Sequence, residues 1–166
     1  MIKKILFAIM IALPMCVAAQ TPKFGVVNTA TVFDAMPEKA TAQAQLETAS
    51  KTYETEFKKL SDELDKKYAE YQSLEASTPE SIKQRREQEM QELNTKIQQF
   101  RATAQQDLQR QQEQLMAPIE EKIQAAIKAV GAENGFTFIL PDMIPLFTGS
   151  DVQDVTPLVK AKLGLQ

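Results

Sequence analysis

The side chains closest to a chemical constellation are Asp62, Glu63 and Asp65, three carboxylates within one helical turn of each other. At spacing i and i+3 such oxygens could share a hard divalent cation. Lys58, Lys59, Lys66 and Lys67 surround them, so ion pairing along a helix answers the same charges. Lys83, Arg85 and Arg86 form a basic cluster that would suit an anionic headgroup, or simply a solvated surface. His is absent from all 166 residues, which removes Ser-His-Asp, Cys-His and His-zinc chemistry together. No phosphate-cradling glycine loop and no nucleophile–base pair occurs. With 19 Lys+Arg against 22 Asp+Glu, the chain also lacks the basic excess of a nucleic-acid binder. These residues predict a protein that is not an enzyme and has no catalytic residues, no cofactor, no metal site and no nucleic-acid partner.

The elements that would position any site begin after residue 19. Lys3 and Lys4 precede an apolar run from Ile5 to Ala18, and Val17-Ala18-Ala19 supplies small residues where a signal peptidase reads. Fourteen apolar residues fall short of the about 20 that span a bilayer. The expectation is a signal peptide over 1–19, cleaved after Ala19 during export. Cleavage would remove Cys16, the one thiol, and leave 17 positive against 22 negative side chains. A disulfide is then impossible, and stability must come from packing and association.

Glycine and proline divide the remainder. All five glycines lie outside residues 26–130, and between 38 and 130 the only prolines are Pro79 and Pro118. A stretch of that length rich in Ala, Glu, Gln, Lys and Leu predicts long helix. Its first half carries a stripe at Leu46, Ala49, Tyr53, Phe57, Leu60, Leu64, Tyr68, Tyr71 and Leu74, and its second half one at Met90, Leu93, Ile97, Phe100, Ala104 and Leu108. The two stripes mirror each other about a point between Thr78 and Pro79: Leu64 matches Leu93, Leu60 Ile97, Phe57 Phe100, and Tyr53 Ala104. Pro79 disfavours helix at Thr78, which is expected to cap the second helix. The prediction is an antiparallel αα-hairpin over 38–130, with its turn at 77–79 and a kink at Pro118.

Residues 20–37 and 131–166 are then expected to form a β body into which the hairpin is inserted. Phe24–Phe33 reads as a strand, Phe136–Leu140 as a second and Met143–Phe147 as a third. Asn134-Gly135 ends a helix, and Thr156-Pro157 opens a short last one that Gly164 closes. The fold class is therefore α+β and helix-dominated. A body of 54 residues without a disulfide or metal is marginal alone. Val26, Val27, Val32, Phe136, Phe138 and Leu140 are the candidate oligomerisation residues.

In order and content, Lys23-Phe24-Gly25-Val26-Val27-Asn28, the long hairpin, Phe136-Thr137-Phe138-Ile139-Leu140 and Ser150-Asp151-Val152-Gln153-Asp154-Val155-Thr156 resemble the Skp/OmpH family of periplasmic chaperones. The resemblance spans essentially the whole chain after residue 19. It implies a homotrimer with a small β body and three helical tentacles enclosing a cavity. It further implies that unfolded outer-membrane proteins are held in that cavity without ATP, in the periplasm. One departure concerns charge: the best-known members are strongly basic, whereas this chain is net negative. Contact with lipid or lipopolysaccharide is accordingly not expected from overall charge.

Tyr68, Tyr71 and Leu74 mirror Glu89, Arg86 and Lys83, which leaves them without an apolar partner at the same height. With Ile82 and Met90 they are the candidate client contacts. A structural or adaptor coiled coil that binds one folded partner is the alternative function.

Overall fold

A computed structural model describes residues 22–165; the expected signal peptide lies outside these. The elements are β1 (Lys23–Val27), α1 (Thr29–Asp34), α2 (Pro37–Gln72), α3 (Glu80–Glu133), β2 (Phe136–Pro141), β3 (Val152–Asp154) and α4 (Thr156–Lys162). The protein is helix-dominated, with one small sheet. The 36 residues of α2 and 54 of α3 give rods of about 54 and 81 Å. Contacts between them couple late residues of α3 to early residues of α2: Lys122 reaches Glu38, Asp107 Tyr53, and Glu89 Lys67. α3 runs unbroken through Pro118.

Three local expectations are overturned. Strand β1 stops at Val27, and Thr29–Phe33 belongs to α1 instead. Asn28 is the reason: its Oδ1 accepts the Thr31 N–H at 2.7 Å, an N-cap that turns the chain into a helix despite the β-branched residues that follow. Met143–Phe147 is no strand either. Pro145 has no N–H to give, and the Ile144 N–H turns back to the Pro141 carbonyl at 3.1 Å; the third strand is Val152–Asp154. Thr78 and Thr156 do not cap their helices. Pro79 holds the cap position of α3, and its carbonyl accepts the Ile82 N–H at 2.9 Å. The Thr156 hydroxyl is taken by the Asn28 N–H at 2.9 Å, which ties α4 to the end of β1.

The sheet has the order β2-β1-β3 and is parallel throughout. Its central strand comes from the start of the described chain and both neighbours from the end. On the covered face, Val27 packs with Val32, Ile123, Val130 and Val159 from the surrounding helices and with Val155, which leads into α4. Gly25 also faces inward, and a Cβ there would lie 3.1 Å from side-chain carbons of Phe136 and Val155. A larger residue would force the strand away from the helices. Gly135 (φ 68°) and Gly164 (φ 72°) supply the left-handed turns that end α3 and α4.

One irregularity decides which residues face which way. Lys23 pairs with Phe136, but Phe24 pairs with Phe138, so Thr137 is an extra residue in β2. The bulge puts Phe136 on the covered face and Phe138 on the other.

Candidate functional site: the helical arm and the open sheet face

Along the arm formed by α2 and α3, packing is concentrated in one place. Leu60, Leu93 and Ile97 are buried together, with Phe57, Leu64 and Phe100 against them. Towards the body the arm is loose: no residue of α2 between Ala42 and Leu60, and none of α3 between Ala104 and Ile119, is buried. Glutamine dominates this stretch of α3, at 105, 106, 109, 111, 112 and 114. An open groove of about 520 Å³ runs here, lined by Tyr53, Phe57, Phe100, Arg101, Ala104 and Leu108. The Arg101 guanidinium lies 4.9 Å from the centre of the Phe57 ring.

Polar clamps join the arms on either side of the apolar cluster. Tyr53 donates its hydroxyl to Asp107 at 2.5 Å. That bond holds the Asp107 carboxyl below its ordinary value and raises the Tyr53 phenol. Lys67 donates to Glu89 at 3.0 Å, and this contact, helped by Arg86, depresses the Glu89 carboxyl. Tyr71 donates to Glu87, which raises the Tyr71 phenol. Nearer the body, Lys122 donates to Glu38 at 2.6 Å and lowers its carboxyl. Each pair is partly solvated and sets the alignment of the arms more than their stability.

The candidate client contacts separate. Tyr68 and Ile82 are exposed at 45% and 40%, and Leu74 is half-buried near the end of the arm. Tyr71 has its polar end committed to Glu87. Met90, by contrast, is 7% exposed, so it is a seam residue with no surface to offer; its mirror position is Lys67, a polar residue, so the matching of the two stripes does not show this. Asp62 is paired with Lys58 at 2.8 Å, and among the described residues no group of three metal-ligating side chains gathers.

The candidate oligomerisation residues divide by face. Val27 and Val32 are 1% and 0% exposed, and Phe136 packs against the same core, so these three hold a single chain together. Their strand-like alternation concealed both the N-cap at Asn28 and the bulge at Thr137. Val26, Phe138 and Leu140 lie on the opposite face of the sheet. Phe24 and Val152 join them through the register Phe24↔Phe138, Val26↔Leu140 and Phe24↔Val152. The Phe24 and Phe138 rings stand 4.6 Å apart. None of these five belongs to the core, and no helix among the described residues packs its core side chains against them. Sequence reading missed Phe24 and Val152; period-2 alternation along β1 from Gly25 reaches Phe24, whereas Val152 is placed only by its pairing with Phe24.

No curated protein matches the chain. The solved structure of an OmpH-like protein from Caulobacter crescentus CB15 is similar, with a TM-score of 0.73 at 12% identity, covering 86% of this chain and 84% of that one. At that identity the likeness is one of fold. The profile of the family described as "Outer membrane protein (OmpH-like)" matches residues 23–163. The match takes in the sheet, both long helices and α4, and the chain belongs to the OmpH-like family.

Proposed function

We propose that this protein is an ATP-independent holdase of the periplasm, which shields unfolded outer-membrane proteins from aggregation between helical arms projecting from a trimeric body. The observation that carries the reading is the disproportion between arm and body. Beyond the body, two rods of 36 and 54 residues share one small buried cluster, and most of their surface there is free to face something else. A holdase uses such an arm, because it must meet many different chains through numerous weak contacts and release them without chemistry. Membership of the OmpH-like family points the same way, and the related Caulobacter protein carries the description of an outer membrane chaperone.

The arm suits this work in two respects. Its surface is wet and evenly charged, with Tyr68, Leu74 and Ile82 as small apolar islands near the end. Its loose middle stretch lets the outer part shift relative to the body at small cost, because few buried contacts break.

The test is suppression of aggregation. The purified protein should keep several unrelated unfolded barrel proteins soluble near one trimer per client, without nucleotide. Tight binding to one folded partner, abolished by a single substitution, would instead identify an adaptor.

A further inference from the structure

Among the described residues, the most exposed large apolar side chains lie in one short segment. Between β2 and β3, Met143, Ile144, Leu146 and Phe147 are 90%, 61%, 107% and 85% exposed. The segment is pinned at its start, where Asp142 donates its N–H to the Val27 carbonyl at 3.0 Å and accepts from the Asn28 amide at 2.7 Å. From there it points away from its own chain and covers nothing.

The open sheet face has the complementary problem. Parallel sheets are normally covered on both sides, and this one has helices on one side only. Phe24, Val26, Phe138, Leu140 and Val152 make most of its bare side apolar, with Asp154 beside Val26 as a charge at the β3 edge. One chain thus carries an apolar tongue without a seat and an apolar plate without a cover. The two do not meet within the chain.

We propose that the 143–147 tongue of one copy lies across the open sheet face of the next copy, head to tail. Contacts of this kind join different patches of the same chain and close into a ring when the rotation permits. The area is sufficient. An aromatic side chain buries about 150–250 Å². The four tongue residues, at the exposures given, therefore offer on the order of 700 Å², close to the share one partner supplies in a standard interface. Pro145 leaves the tongue without a backbone donor at its centre, which disfavours strand addition, so the contact rests on side chains. The inference rests on the proposed self-association and adds to it the residues that cross between copies.

Disulfide trapping tests it. In the full chain with Cys16→Ser, Leu146→Cys and Phe138→Cys are combined and mildly oxidised. The expected products on a non-reducing gel are two- and three-chain species. The two single variants refolded together should give the two-chain species, and neither alone should. A cross-link closed within one chain, or efficient coupling of Leu146→Cys with itself, would overturn the head-to-tail contact. Leu146→Ser with Phe147→Ser should weaken assembly at least tenfold by sedimentation while the helical circular dichroism signal stays unchanged; undiminished assembly would also overturn it. If the unmodified protein sediments as a monomer, self-association and the tongue contact both fall. If it assembles but no inter-chain cross-link forms, only the tongue contact falls.

Discussion

The Tyr53 hydroxyl and the Asp107 carboxylate meet across the two long helices at 2.5 Å, where the arm passes from its packed outer part to its loose inner part. The Tyr53 ring faces Phe100 at 6.0 Å, so one side chain ends the apolar cluster and begins the polar stretch. Tyr53→Phe keeps the ring and removes the bond. Hydrogen exchange should then quicken over residues 43–56 while residues 57–64 keep their protection. Equal acceleration of both segments would show that the clamp supports the whole arm.

Ile97 is 6% exposed in the cluster shared with Leu60 and Leu93. Truncation to alanine should cost about 2 kcal/mol or more. With so few buried residues nearby, the loss should appear as early melting of the arm while the sheet persists. Calorimetry that gives one unshifted transition would contradict this.

Gly25→Ala tests the body. Its Cβ would stand 3.1 Å from Phe136 and Val155 and 3.2 Å from Ile139, all side-chain carbons of a packed layer. The expected destabilisation is about 1–3 kcal/mol, read as a lower denaturation midpoint. An unchanged midpoint would mean that the layer yields freely.

The pH dependence follows from the clamps. Glu89, Asp107 and Glu38 have depressed carboxyls, with first causes in Lys67, Tyr53 and Lys122. Their stabilisation is present above the unfolded values of about 4 and is lost as pH falls through the lowered ones. Tyr53 and Tyr71 have raised phenols, so theirs is complete below about 10 and lost above it. Thermal stability should be flat between about pH 5 and 8, where no His titrates, and should decline at both ends. Glu89→Gln should make the acid limb shallower; an unaltered limb would place the effect elsewhere.

Client binding should be insensitive to single changes near the end of the arm. Alanine at Tyr68, Leu74 or Ile82 is expected to cost less than about 1 kcal/mol of client affinity each. Met90→Ala, being in the seam, should lower the melting temperature instead. A loss above about 2 kcal/mol at any one exposed position would argue for a single anchor.

The long helices were legible because their period is sustained: Leu60 and Ile97, or Phe57 and Phe100, occupy matching places in both stripes and share one cluster. The body was harder. Thr29–Phe33 has strand-like composition, yet one hydrogen bond from the Thr31 N–H to the Asn28 side-chain oxygen outweighs it. Thr137 looks like any strand residue, but as a bulge it reverses the faces of Phe136 and Phe138. Short elements are decided by single bonds of this kind, and residue preference is a weak guide to them. Met143–Phe147 was read as a strand for its side chains, though Pro145 removes a donor that a central strand needs.

The pairing of Lys23 with Phe136 also bears on how the chain must fold. No strand of the sheet has a partner nearby in sequence, so β1 has nothing to bond until residues 136–154 have followed it. Closing so long a stretch of flexible chain is slow. Helix forms locally and in microseconds, and two helices doubled back on each other deliver the ends of that stretch to one place. The arm therefore acts as an assembly jig for the body, and lesions such as Ile97→Ala should slow refolding of a sheet that Ile97 never touches.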